Sequence, residues 1–315
     1  MLCCQRRGCW TEIKMKELLS LQFTIFVLIA VGVLVKKKKI IGTAGQKNIT
    51  DLVIYVVLPC NTVMSFLNGK VDSSLGDCVT VLVISVVIQI FCVAYGKIAY
   101  SKEKEAKKKC LQYGIICSNA GFLGNPIAEG IYGSTGLMLA SIYLIPLRIM
   151  MWSEGLRVFS GSADKKETVK KVITHPCVLA CLIGLVLMLL PVSLPEILLN
   201  PVNTIGRCNT ALSMFVIGMI LADIDPKNLV DWKVVRYTVE RLVLIPLLVY
   251  ACCSLFHVGR LITGLSVILA AMPAGATTSM LAAKYDQAPQ FATKLVIFST
   301  LCSIPSICVW SIILA

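Results

Sequence analysis

Two stretches of this 315-residue sequence set amide and hydroxyl side chains beside helix-breaking residues in otherwise apolar surroundings: Asn119-Ala-Gly-Phe-Leu-Gly-Asn-Pro126 and Ala271-Met-Pro-Ala-Gly-Ala-Thr-Thr278. Neutral donors such as Asn119, Asn125, Thr277 and Thr278 can hold an anion and let it go. A second pair, Cys60-Asn61-Thr62 and Cys208-Asn209-Thr210, repeats a polar cluster at nearly the interval that separates Pro126 from Pro273. No His-Glu-x-x-His, Gly-x-Ser-x-Gly or phosphate-binding loop accompanies these residues, so the sequence points away from an enzyme and from an ATP-driven pump. The chemistry expected is reversible binding, without a cofactor or a metal; His175 and His257 are too few for a metal site.

The elements that position these residues are membrane spans. The chain is 57% hydrophobic and 15% charged, against roughly 25% charged in an average soluble domain. Apolar runs near the length needed to cross about 30 Å of hydrocarbon fall at 18–35, 52–67, 78–96, 110–132, 136–156, 173–192, 206–222, 237–256, 261–282 and 293–314. The first run is followed by Lys36-Lys37-Lys38-Lys39 in place of a small-residue cleavage site, so it is expected to remain as a span. The connections leave no room for a soluble domain, and function is expected within the bilayer.

The net charge of +13 does not indicate nucleic acid, because 21 of the 30 Lys and Arg residues lie in or at the edges of the loops after spans 1, 3, 5, 7 and 9. This bias predicts a multi-pass cell-membrane protein with those loops in the cytoplasm and both termini outside; the basic segment carrying Arg6, Arg7, Lys14 and Lys16 dissents. The 15 cysteines read as small hydrophobes in apolar spans, and Cys3, Cys4 and Cys9 lack a partner cluster with zinc spacing.

The matched intervals predict a duplicated five-span unit. Five is odd, so the second copy enters from the opposite side. The expected fold is an all-α membrane protein of ten transmembrane helices in two inverted five-helix repeats, with broken, crossing helices 4 and 9. Its parts are an N-terminal segment 1–17, repeats over 18–160 and 173–315, and a cytoplasmic linker 161–172. Inverted repeats with discontinuous helices are an architecture of secondary transporters. Pro and Gly unwind a helix, and the half-helix N-termini offer unpaired amides and positive dipole ends to an anion.

Asn119 to Pro126, followed by Tyr132-Gly-Ser-Thr-Gly136, resembles the fourth-span signature of the auxin efflux carrier family, the bacterial and plant permeases that include the plant PIN carriers. Val57-Leu-Pro59, Ile217-Gly218 and Ala271-Met-Pro273 through Lys284-Tyr285 are similar to its other landmarks. The resemblance implies a scaffold from spans 1, 2, 6 and 7, a transport unit from spans 3–5 and 8–10, and helices crossing at Pro126 and Pro273. It also implies an organic-anion substrate, a mono- or dicarboxylate. The short loop at 157–172 departs from the long-loop plant carriers and argues against auxin. Asn61 and Asn209 would then face the crossing from the scaffold side, or else bond neighbouring helices.

Ionisable groups within spans are functional candidates by default. Glu129 is a candidate to take up a coupled proton. Arg148 can neutralise a substrate carboxylate or pair with Glu129 or Asp77, whereas Glu154, Glu240 and Arg241 are expected to snorkel or pair at the cytoplasmic span ends. The expected partners are a small organic anion, protons or another coupling ion and the lipid bilayer, with a homodimer compatible and nucleic acid not. The reading is a proton-coupled permease or symporter. A membrane receptor that binds an anion without moving it is the alternative.

Overall fold

The computed structural model describes residues 20, 23–68, 75–160, 166, 170, 174, 176–189, 195–222 and 230–314. The N-terminal segment 1–17, most of the linker 161–172 and His175 lie outside them. The described chain is all-helical: α1 (23–37), α2 (Thr43–Asn68), α3 (Leu75–Ala99), α4 (Glu105–Ile116), α5 (Ala120–Ser160), α6 (Pro176–Leu189), α7 (Glu196–Ala222), α8 (Trp232–Leu255), α9 (Arg260–Ala270), α10 (Thr277–Lys284) and α11 (Pro289–Leu314). Among the described residues six of these, α2, α3, α5, α7, α8 and α11, are long and apolar enough to cross a membrane. The protein is therefore a multi-pass membrane protein.

Lipid explains the surface. On α3, Val79, Val83, Val87 and Ile90 stand exposed on one side, while Val81, Ser85, Ile88 and Cys92 are buried on the other. Spacings of three and four residues put each set on its own face of the helix.

Two local conformations shape the path. Gly133 has φ 65° and ψ −158°, a region open to glycine alone among common residues; there α5 kinks, so that 120–132 and 134–160 are two limbs. Where α1 meets α7, a Cβ on Gly218 would stand 2.1 Å from the Ile29 carbonyl oxygen and 2.9 Å from the Gly32 Cα. Small residues at this crossing let the two backbones touch, the usual means by which membrane helices associate.

The helices gather into two groups, joined where α2 packs on α5. In one, α2 packs along α6 and α7, and α1 meets α7 at the glycine contact. In the other, α3 packs on α4 and α5, α8 on α9 and α11, and α10 on α11. One end of this second group carries polar ties from several loops: Lys97 to Glu154 (2.6 Å), Lys107 to Asp231 (3.2 Å) and Lys233 to Glu103. Elsewhere a cleft of about 600 Å³ is lined by Asn68, Asp77, Tyr132, Gly133, Gly259 and Arg260, among others. Residues 97–107, Glu154 and 231–233 thus meet at the polar ties, and residues 68, 77, 132–135 and 259–262 meet at the cleft.

Candidate functional site

The helical path is interrupted at 117–119, between α4 and α5, and at 271–276, between α9 and α10. Each interruption satisfies the other. The Asn119 amide donates to the Pro273 carbonyl at 2.8 Å, the Gly275 amide donates to the Cys117 carbonyl at 2.9 Å, and Ser118 and Ala274 form an isolated antiparallel bridge. The Ala274 amide donates to Ser299 Oγ on α11 at 3.2 Å. Irregular backbone at membrane depth must be paired within the protein, and here the two chain segments pair with each other.

Local sequence explains where the helix stops. Pro273 has no amide to donate, and the residue before a proline is steered away from helical geometry. Pro126, by contrast, does not mark the first interruption. It is the second residue of the regular helical stretch Asn125–Met150, seven residues beyond Asn119. Proline is accepted in a first turn, where amides have no intrahelical partner anyway, and a wide π turn at Ala120–Gly124 leads into it.

Several uncommitted polar groups lie in the segments around this contact. Asn125 is 0% exposed, and neither its Oδ1 nor its Nδ2 finds a partner among the described residues. Thr278 Oγ1 and Ser118 Oγ are likewise buried and unpartnered. Thr277 is half-buried, and the Tyr113 hydroxyl turns toward it and toward Cys117 without reaching hydrogen-bonding geometry with either. A Cβ on Gly121 would meet nothing within 4 Å, so the first turn of α5 borders open space. Because buried polar groups are nearly always paired, such a cluster is suited to a polar ligand.

The predicted residues do not all converge. Asn119, Asn125, Pro126, Pro273, Thr277 and Thr278 lie in the two interruptions and the first turns that follow them. Asn61, 6% exposed on α2, donates through Nδ2 to Glu129 Oε2 on α5 at 3.1 Å, which joins the two helix groups. Asn209 on α7 is buried; its Oδ1 accepts from Ser213 Oγ at 3.3 Å, and its Nδ2 has no partner among the described residues. Arg148 stands apart, on the second limb of α5, in electrostatic reach of Cys177 and Cys181 on α6. Among the described residues no carboxylate pairs with Arg148, so the anticipated pairing with Glu129 or Asp77 does not form.

Arg241 departs most from expectation. Glu154 and Glu240 pair as anticipated, with Lys97 and with Arg236 (2.8 Å), but Arg241 is 2% exposed. Its Nε donates to the Met272 carbonyl at 2.9 Å and its Nη1 to the Ile115 carbonyl at 3.2 Å, with Cys92 Sγ at 3.9 Å. The reason is register. The eighth span reads from 237 in the sequence, but α8 begins at Trp232, so Arg241 lies nine residues into the helix, about 13 Å along its axis at 1.5 Å per residue. A π turn at Glu240–Leu244 carries it, a feature often found where helices serve a function.

A family model described as "membrane transport protein" matches residues 19–311. The chain belongs to this family, that of the auxin efflux carriers. It is similar to a protein named as an uncharacterized transporter in Methanocaldococcus jannaschii, 23% identical, with 92% of this chain and 96% of the relative aligned. An uncharacterized transporter of Methanothermobacter thermautotrophicus is 24% identical over the same shares. One of Escherichia coli is 23% identical, with 83% of this chain and 86% of the relative covered. The match covers the interruptions at 117–119 and 271–276, and the stretch Asn119 to Pro126 that resembles the family's fourth span includes Asn125, buried and without a partner among the described residues.

Proposed function

We propose that this protein is a secondary carrier that moves a small organic anion, a mono- or dicarboxylate, by alternating access around the paired interruptions. The observation that carries the reading is the mutual backbone pairing of the two interruptions, flanked by Asn125 and Thr278 with buried, unpartnered polar atoms. A carboxylate placed there meets the free amides that begin α5 and α10 together with neutral side-chain donors. Neutral donors suit a carrier, which must release what it binds.

The finer architecture belongs to the same proposal. Ten spans arise if α4 with the first limb of α5, and α9 with α10, each count as one broken span and the second limb of α5 as another. The separate gathering of 97–107, Glu154 and 231–233 at the polar ties and of 68, 77, 132–135 and 259–262 at the cleft supports that alternation, and the matched intervals support inverted repeats. We assign α1, α2, α6 and α7 to a scaffold and the other helices to a moving unit. The polar ties on the basic-loop face bind this unit to itself: Lys97–Glu154 links α3 to α5, Lys107–Asp231 links α4 to α8, and Tyr100 donates to Glu240. Between the groups, the hydrogen bonds among described residues are Asn61 to Glu129 and the Cys181 thiol to the Ser141 carbonyl at 3.4 Å. Few fixed bonds across the interface suit a sliding surface. Glu129, at that interface, is our coupling residue for protons, and positive-inside charge places the basic loops in the cytoplasm.

The test is uptake of labelled malonate, malate and a broad panel of organic acids into proteoliposomes under an imposed pH gradient. Saturable uptake that collapses with the gradient is expected. No saturable uptake of any acid would overturn the proposal.

A further inference from the structure

An interrupted helix presents two ends to its gap, and their charges oppose. The N-terminal end of a helix carries about +0.5 elementary charge and the C-terminal end about −0.5. Two interruptions side by side therefore sum to nothing, and a crossing of this kind has no intrinsic preference for anions over cations. Something must cancel one pair of ends.

Arg241 stands on the negative pair. Its guanidinium donates to the Ile115 carbonyl in the last turn of α4 and to the Met272 carbonyl just past the end of α9. Both are C-terminal ends, and they belong to different interruptions. The remaining neighbours, Cys92, Cys117, Tyr143 and Tyr237, are thiols and phenols, groups that ordinarily carry no charge near neutral pH. Among the described residues no carboxylate pairs with Arg241, and Glu240 beside it is engaged by Arg236 and Tyr100. On the positive side, Glu129 follows Asn125 by one turn, with an oxygen turned to Asn61.

Resting on the organic-anion reading above, we infer that Arg241 is the specificity-determining residue that sets the sign of the crossing. Its full charge offsets the two C-terminal half-charges and leaves the N-termini of α5 and α10 as the net field at Asn125 and Thr278 whenever Glu129 carries its proton. It also fixes the two C-terminal ends to each other, so the crossing moves as one piece. The charge governs how tightly an anion is held, and the two-carbonyl fork governs how well the crossing keeps its shape. A guanidinium supplies both, because its donors lie in a rigid plane. An ammonium supplies the charge alone.

The experiment compares wild type, Arg241→Gln and Arg241→Lys in proteoliposomes with labelled malonate, after checking each for a monodisperse elution profile. For a bound carboxylate taken to sit on the order of 8 Å from the guanidinium, removing the unit charge at an effective dielectric near 20 raises KM about 30-fold. Arg241→Gln should show that rise. Arg241→Lys should keep KM within about threefold while lowering the maximal rate, since it retains the Coulomb attraction and loses the fork. Wild-type KM in Arg241→Gln would overturn the inference, and so would an Arg241→Lys KM as high as that of the glutamine variant. If Arg241→Gln does not fold, the lysine variant decides alone: KM within threefold supports the inference and a rise beyond tenfold overturns it. Absence of any wild-type uptake would defeat the carrier reading and this inference together, whereas wild-type uptake with an unaltered variant KM defeats this inference only.

Discussion

Replacing Asn125 by leucine separates function from stability at the centre of the proposed site. Asn125 is fully buried, and both of its polar atoms lack a partner among the described residues. A buried group stranded in this way costs about 1–3 kcal/mol. Leucine has asparagine's branched shape and the same number of side-chain heavy atoms, so it leaves no cavity. Asn125→Leu should therefore stabilise the ligand-free protein by about 2 kcal/mol. At about 2 °C per kcal/mol for a large chain, that is a rise of about 4 °C in Tm. Thermal unfolding in detergent, with and without malonate, measures the stability half; uptake into proteoliposomes measures the other. Malonate should raise the wild-type Tm and leave the variant unmoved, and the variant should carry no substrate. A variant melting at or below wild type would mean that the amide is already satisfied, and the case for a ligand at Asn125 would fall.

Three further outcomes follow from the geometry. Gly218→Ala drives a Cβ to 2.1 Å from the Ile29 carbonyl oxygen and should destabilise the protein by on the order of 3 kcal/mol; thermal unfolding within 0–1 °C of wild type would contradict the close approach of α1 and α7. A double-mutant cycle of Asn61→Ala and Glu129→Ala should return a coupling of about 1.5–3 kcal/mol, the range for a hydrogen bond to a charged group, and strictly additive effects on unfolding would mean the contact carries no energy. Asp231 caps α8 by accepting from the Lys233 amide at 3.0 Å, and that bond first, then the Lys107 ammonium, holds its carboxyl below the usual carboxylate range. A lowered pKa adds stability above the ordinary value of about 3.9 and loses it as pH falls through the folded value. Asp231→Asn should thus cost the most near neutral pH and converge on wild type in acid, and a pH-independent difference between the two melting curves would refute this.

Much of the membrane character was legible in the sequence because it is a property of runs. Apolar length and charge placement respond to the solvent around each segment, and lipid imposes that solvent locally. The paired prolines and the polar stretches at 119–126 and 271–278 were legible for a similar reason: Pro273 stops a helix wherever it stands. The first interruption was only approximately legible. It lies at 117–119, ahead of Pro126, because proline is harmless in a first turn and the backbone pairing with 273–275 decides where α4 ends. That pairing joins residues more than 150 positions apart in the chain, and no local preference encodes it.

The sequence alone determined that this chain lives in a bilayer, carries matched helix-breaking polar segments and belongs with transporters. Tertiary structure decided which polar residues meet. It set Asn61 against Glu129, sent Arg148 to the thiols of α6 and placed Arg241 on the carbonyls of two different helices. The physical reason is that burial and hydrogen bonding depend on position in space, and a shift of a few residues in where a helix begins moves a side chain by more than one turn. Arg241 shows it most plainly: five residues of register separate a cation expected at the membrane surface from one that holds the two interruptions together.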